Sequence, residues 1–408
     1  MLREQIRDWT IAMGPLSRLP LVGTASTAGG HTFGPVFYWV LWMIRVTIGP
    51  LAGNLPHAGG VGLSALQSVA DVVLCLGIRR ATGSWTFAVA TVLIVASSPF
   101  DLALSSVIWN PVLAVVFAKM GTGLVLSWQD TLTRPRRVTL AAIAWFAVQA
   151  HSAALPFALA LFSWILWTQL RRGGRPLFTA LVEVAAVVAI LQVPAVFAAE
   201  SIRPTKIVAV IQGQPPLRVG DALRAVNDAV GSIGFAPFAV PQLTLILLGA
   251  VATLMVTIGP LHAVGVVTAV PIVVTVCLWS IWQQDYDAYV FLTVVPAALL
   301  AVAWMGRLVP ERAARSACTV ALLALAILIQ KPRIDNATLV FRMQGYGALV
   351  RGSRAIAERG EPVRAIEVPS LHPLSDPHYL FTLYGGHLQP DAPAIARIAE
   401  NGDVTYVR

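Results

Sequence analysis

Residues 97–111 read Ser97-Ser-Pro-Phe-Asp-Leu-Ala-Leu-Ser-Ser-Val-Ile-Trp-Asn-Pro111. Apolar runs flank this stretch on both sides, over 83–99 and 106–127. A carboxylate (Asp101), an indole (Trp109) and an amide (Asn110) between two such runs belong at a membrane–water boundary. Polar groups cost far less there than at the bilayer centre, and tryptophan favours that depth. The stretch is expected to form a loop on the non-cytoplasmic face and to contribute to a shared site.

The composition agrees. The chain has 408 residues, of which 57% are hydrophobic and 12% charged, and its mean hydropathy is +0.72. Soluble domains carry about 25% charged residues, so this is a polytopic membrane protein. The net charge is +9, but the basic residues cluster in short loops, which reads as topology and not as nucleic-acid binding. Cys75, Cys277 and Cys318 all lie inside apolar runs with no metal-ligand spacing, as core residues do. The polar start, Met1-Leu-Arg-Glu-Gln-Ile-Arg-Asp-Trp9, has no apolar region of the secretory kind behind it.

Residues 1–32 read as a loop, with Pro15, Pro20 and Gly23 as breakers. The aromatic run over 33–50 is interrupted by Arg45 and closed by Pro50; it is shorter than the roughly 20 residues a span needs. It reads as an interfacial or re-entrant helix, with a full span as the alternative. Further runs lie at 60–78, 83–99, 106–127, 138–150, 153–170, 176–198, 244–259, 262–281, 286–305 and 314–330. His151-Ser-Ala-Ala-Leu-Pro156 interrupts the long stretch 138–170 and predicts a break there. The expected architecture is an all-α membrane bundle of about ten transmembrane helices plus an interfacial helix. Residues 1–59 form an extracytoplasmic loop with that helix, 60–330 the bundle with an outer loop at 199–243, and 331–408 a small α/β extracytoplasmic tail domain.

Four basic loops orient the chain: Arg79-Arg80, Arg134-Pro-Arg136-Arg137, Arg171-Arg172-Gly-Gly-Arg175, and the arginines of 307–315. Placing them in the cytoplasm makes the segments alternate without conflict. Asp101 to Asn110, His151, 199–243 and Gln283-Gln-Asp-Tyr-Asp287 then face outward. Two charges remain inside apolar runs, Asp71 and Lys119. Both lie at matching depth below the outer face, so they are expected to pair. A buried ion pair that fixes helix packing is the favoured reading, and a proton or ion relay the other.

The outward polar set comprises Asp8, His31, Asp101, Trp109, Asn110, His151, Arg203, Lys206, Asp285, Tyr286 and Tyr289. No metal spacing, Walker loop, dinucleotide fingerprint or Gly-x-Ser-x-Gly elbow occurs. Carboxylates, imidazoles, amides and cations at one membrane face suit group transfer from a lipid-phosphate donor. A carboxylate activates an acceptor hydroxyl, and cations hold the leaving phosphate.

Four segments resemble, in order, the GT-C superfamily of polytopic glycosyltransferases, on the bacterial branch near the aminoarabinose and protein mannosyltransferases. Thr27-Ala-Gly-Gly-His-Thr-Phe-Gly-Pro-Val-Phe-Tyr-Trp39 resembles the juxtamembrane Gly…His-Pro-Pro-Leu-Tyr-Tyr-Trp segment. Ala96 to Asp101, with Trp109-Asn-Pro111, resembles the second outer loop. His151 to Pro156 resembles a His-containing break, and Gln284 to Leu292 with Pro296 a Tyr-Tyr-Phe-Leu…Pro segment. The resemblance implies an enzyme of the cell inner membrane that moves a hexosyl or pentosyl group from a polyprenyl-phosphate donor to a glycan, lipid or protein acceptor outside the cytoplasm. It implies inversion without a covalent intermediate; many relatives use a divalent ion, for which this sequence has no independent sign.

The implied roles are Asp101 and Asp8 (Glu4 being the alternative to the latter) as catalytic or acceptor-binding carboxylates, and Arg203 and Lys206 on phosphate. His31, Trp109, Asn110, His151, Asp285 and Tyr286 line the cleft. For Asp101, helix capping or pairing with a lysine stands beside the site role. Family members begin with a membrane helix whose outer end supplies an acidic residue; this chain starts after that point, as a truncated chain would. The rival functions are a transporter or lipid flippase, and a non-catalytic scaffold.

Overall fold

The computed structural model describes residues 3–24, 31, 33–53, 55–97, 101–102, 105, 107–129, 131–198, 346–368 and 378–408, and scattered positions between 220 and 328. The expected outer loop 199–243 and the runs from 244 to 330 thus lie almost wholly outside the described residues, as do Arg203, Lys206, Asp285, Tyr286 and Tyr289.

The chain opens with a helix, α1 (Arg3–Met13), where the sequence reading placed a loop. Gln5, Asp8, Trp9 and Ala12 are its buried positions, and their spacing of three and four residues is one helical face. The segment is too polar on average to announce itself as a membrane element, and Pro15 ends it one residue past Gly14. Next comes α2 (Val36–Thr47), led in by Pro35 and followed by a 3₁₀ turn over Gly49–Ala52. With 12 residues it is about 18 Å long, too short to cross the membrane upright.

Helix α3 (His57–Thr82) is followed by α4 (Trp85–Ala96), α5 (Asn110–Trp128), α6 (Arg134–Ala150), α7 (Leu155–Leu170) and α8 (Gly174–Phe197). Among the described residues, four segments are long and apolar enough to cross a membrane: α3, α5, α7 with its preceding 3₁₀ turn, and α8. The expected break at 151–156 is present. His151 caps the end of α6, and Ser152–Ala154 forms a 3₁₀ turn into α7.

The tightest contact in the bundle is between α3 and α5, which run in the same direction. A Cβ on Gly77 would stand 2.2 Å from the Gly123 carbonyl oxygen, and one on Gly123 would stand 2.5 Å from that of Val73. The two backbones touch because neither helix has a side chain at the crossing. Van der Waals packing of small residues is what holds helices together where no hydrophobic drive separates them from lipid. By contrast α8 exposes Phe178, Ile190, Val196 and Phe197.

The C-terminal segment is a small α/β unit: α9 (Tyr346–Arg359), β1 (Val363–Glu367), α10 (His378–Leu383), β2 (Ala394–Ile398) and β3 (Val404–Val407). The strand order is β1-β2-β3, with β1 parallel and β3 antiparallel to β2. Ile356, Val363, Phe381, Ala396 and Ile398 form its own apolar core. Tyr379 of α10 packs against the bundle, and the Thr10 hydroxyl of α1 donates to its phenol oxygen at 3.3 Å.

The α3–α5 crossing predicts the outcome of two substitutions. Gly123→Val must push one backbone away from the other and should cost about 3 kcal/mol, the upper end for overpacking. Gly174→Ala, with nothing within 4 Å of its added methyl, should leave the thermal midpoint of the purified protein nearly unchanged. Equal midpoints for the two variants would contradict the crossing.

Candidate functional site

Among the described residues, the sequence-predicted site residues fall in two polar clusters at different depths. The deeper one is built on the glycine crossing. One turn before Gly123, Lys119 points from α5 toward α3, and its side chain is 0% exposed. Its Nζ lies 2.7 Å from Asp71 Oδ1, the pairing expected from matched depth. The same ammonium also donates to Asp101 Oδ2. Gln67, one turn before Asp71 on the same face of α3, donates from Nε2 to Asp101 Oδ1 at 2.7 Å.

Asp101 is therefore enclosed within the bundle, with contacts to both oxygens, and not presented on a surface loop. Helix α4 has only 12 residues, and Asp101, five residues past its end at Ala96, stands at the level of Lys119. Of the readings weighed for Asp101, pairing with a lysine is the one its contacts show. Gln67 was not singled out in the sequence, although its i, i+4 relation to Asp71 places both on one face.

The second cluster is at the end of the bundle where α3 and α5 begin. Asp8, itself buried, accepts from Arg7 Nε at 2.9 Å and from the Tyr38 hydroxyl at 3.1 Å, both on Oδ1. Arg7 Nη2 is 2.8 Å from the same oxygen, with the Arg7 side chain 41% exposed. The cluster thus joins a buried carboxylate to a solvent-accessible cation. Burial, followed by the nearby Asp8 charge, pushes the Tyr38 phenol well above its ordinary pKa, so Tyr38 stays a hydrogen-bond donor at physiological pH.

The other described candidates lie at this same end. Trp9, beside Asp8, and Ile108, beside Trp109, both press on Gly59 near the start of α3. Asn110 donates from Nδ2 to the Ala150 carbonyl at 2.9 Å, which ties the start of α5 to the end of α6. His151 follows directly; its Nδ1 accepts from the Ala153 N–H at 3.1 Å. That bond fixes the neutral tautomer with its proton on Nε2, and burial lowers the pKa to about 3. The His31 ring nitrogen Nδ1 donates to the Gly23 carbonyl at 3.0 Å. Phe33 and Gly34 lie across α6 and α8: Gln192 donates to the Phe33 carbonyl at 2.7 Å, and Gly34 is pressed against Gln149.

Asp8, His31, Trp109, Asn110 and His151 thus share one end of the bundle, and Asp101 lies beneath it. Among the described residues, no three His, Cys, Asp or Glu side chains stand together as a metal site would need.

Two outcomes follow. Lys119→Met leaves two carboxylates buried without their cation and should cost about 3–5 kcal/mol. Adding Asp71→Asn and Asp101→Asn should restore much of the loss, read as the yield of monodisperse protein and its thermal midpoint. For His151, the folded pKa lies below the ordinary 6.5, so the unfolded chain takes up a proton that the folded site refuses. This contribution is complete above about pH 6.5 and drains as the pH falls. In His151→Gln, the midpoint should therefore drop less than in the parent between about pH 7.5 and pH 5.

By sequence, the chain matches no family model and no curated protein. By structure, it is similar to ArnT from Cupriavidus metallidurans bound to undecaprenyl phosphate. The TM-score is 0.55 at 16% identity, over 97% of this chain and 81% of that one. Archaeal oligosaccharyltransferase AglB from Archaeoglobus fulgidus, in complex with an inhibitory peptide and a dolichol-phosphate, aligns at a TM-score of 0.46 and 15% identity. That alignment covers 89% of this chain and 57% of that one. Along nearly its whole length the chain thus shares the fold of ArnT, with apolar helices long enough to cross a membrane.

Proposed function

We propose that the chain is a membrane glycosyltransferase that moves a sugar from a polyprenyl-phosphate donor to an acceptor on the extracytoplasmic side. Fold alone does not assign an activity. The observation that carries the reading is the Asp8–Arg7–Tyr38 cluster, at the end of the bundle where α1 meets the C-terminal unit.

The chemistry needs two things from the protein. A carboxylate takes the proton of the acceptor hydroxyl as its oxygen attacks the anomeric carbon; the carbon–phosphate oxygen bond breaks, and the polyprenyl phosphate leaves as an anion. Cations hold that anion as its charge grows. Asp8 is the base in this reading, positioned by Tyr38, which stays a donor and holds one carboxylate oxygen. Arg7 reaches solvent beside it and is placed to meet the phosphate, together with Arg203 and Lys206. His151 is neutral and buried, which fits a wall of the cleft better than a proton carrier. Trp109, Asn110, His31, Asp285 and Tyr286 complete the cleft, with a hexosyl or pentosyl donor and a glycan, lipid or protein acceptor. Asp101 acts here as a support beneath the site through Lys119. No step is assigned to a metal ion.

In this reading the C-terminal unit lies outside the cytoplasm. It is in contact with α1 through Thr10 and Tyr379, at the end of the bundle away from the arginine-rich turns. The membrane is the inner membrane of a bacterium, as the arginine-rich turns and the bacterial ArnT alignment favour.

The test is sugar transfer by the full chain in detergent with polyprenyl-phosphate sugars, without any ion gradient. Asp8→Asn should lower kcat on the order of 10²–10⁴-fold, the range for loss of a general base, with expression and thermal midpoint retained. Tyr38→Phe should lower it far less. Unchanged transfer in Asp8→Asn would remove the base from this position. Absence of transfer in the parent with every such donor would remove the function.

A further inference from the structure

The end of the bundle opposite Asp8 carries a feature that sugar transfer does not use. It is formed by the α3–α4, α5–α6 and α7–α8 turns. Each turn lays one arginine over one tryptophan. The Arg79 guanidinium carbon is 4.9 Å from the centre of the Trp85 ring. Arg136 stands 5.6 Å from Trp128, and Arg171 stands 5.3 Å from Trp167. These turns share no sequence motif, yet the same pair recurs at the same level of the bundle. Helix α3 packs on α5, α5 on α6, and α6 on both α7 and α8, so the turns stand side by side.

The charge at this end is one-sided. The segments carry eight arginines against two carboxylates, Asp130 and Glu183. Glu183 is taken up by Arg137, which donates to it twice at 2.7 and 3.0 Å, and by Arg134 at 3.3 Å. Arg79, Arg80, Arg171, Arg172 and Arg175 are exposed. An orientation signal needs only positive charge on that side; it needs no aromatic partner. A guanidinium stacked on an indole is held at the depth where tryptophan sits, the level of the headgroups. Its donor edge stays available for bidentate bonds to a phosphate.

We propose that these three turns form a binding surface for anionic phospholipid headgroups, with the Arg–Trp pairs setting the depth of the guanidiniums in the headgroup layer. The ligand is a phosphodiester carrying net negative charge, supplied by the leaflet at that face. The surface is separate from the sugar-transfer reading and stands or falls without it.

The full chain, purified in a neutral detergent, is titrated with phosphatidylglycerol or with phosphatidylcholine, and bound lipids are counted by native mass spectrometry. Phosphatidylglycerol should bind several-fold more tightly, and raising the salt should reduce the difference. In R171Q/R172Q/R175Q its affinity should fall several-fold, toward that of phosphatidylcholine, while R351Q in the C-terminal unit leaves it unchanged. Should the triple variant fail to insert, the lipid preference and salt response of the parent still decide. Equal binding of the two lipids, a preference insensitive to salt, or an equal loss in R351Q would overturn the surface. So would displacement of the lipid by millimolar inorganic phosphate, which would mark a free-anion site instead.

Discussion

One ammonium group holds the centre of this molecule. Lys119 has no access to solvent and stands between Asp71 of α3 and Asp101, which the chain brings in after α4. None of the three charges is tolerable there alone. A lysine or aspartate among apolar helices costs several kcal/mol unless it is paired. The pairing does not by itself add much net stability, because desolvation offsets most of the attraction. Its effect is on specificity: any register of α3 against α5 other than this one strands at least one charge. The Gly77–Gly123 contact makes the register reachable by letting the backbones approach. The ion cluster then makes it unique.

From that register the outer end follows. With α3 and α5 fixed, Gly59 near the start of α3 receives Trp9 from α1 and Ile108 from the segment before α5. Trp9 sets α1, and α1 sets Asp8 against Tyr38. Asn110 then locks the start of α5 to the end of α6, where His151 stands. The polar residues at this end therefore rest on a rigid frame, as a site requiring sub-ångström placement must. Asp101 contacts that frame through Lys119 and Gln67. Its neighbours Trp109 and Asn110 belong to the face above.

Much of this was legible in the sequence, for identifiable reasons. Membrane runs announce themselves by composition, and the break at 151–156 by a proline after a polar residue. The Asp71–Lys119 pair followed from counting depth along two helices whose direction the arginines had set. The four ordered segments that resemble the GT-C superfamily agree with the fold. What was not legible was local and polar. Helix α1 carries too few apolar residues to be read by hydropathy; only the spacing of Gln5, Asp8, Trp9 and Ala12 betrays it. The inward placement of Asp101 goes with a short α4, and an apolar run over 83–99 does not show that its helix stops at Ala96. The contact between Arg7, Asp8 and Tyr38 spans two elements and has no signature along the chain.

Asp8 and Asp101 differ in what surrounds them. A general base must be able to lose its proton to, and regain it from, something mobile, and must sit within reach of a substrate hydroxyl. Asp101 has Gln67 and Lys119 on its oxygens inside the bundle, and a proton placed there would weaken the ion cluster. Asp8 receives Tyr38 and Arg7 on Oδ1, and the Arg7 side chain extends into solvent. A phosphate approaching Arg7 would compete with Asp8 for the guanidinium. As the phosphate gained negative charge it would draw that guanidinium away and leave the carboxylate more basic at the moment when the acceptor must lose its proton. The adjacency of Arg7 and Asp8 would in this way couple departure of the carrier to activation of the acceptor within one turn of one helix.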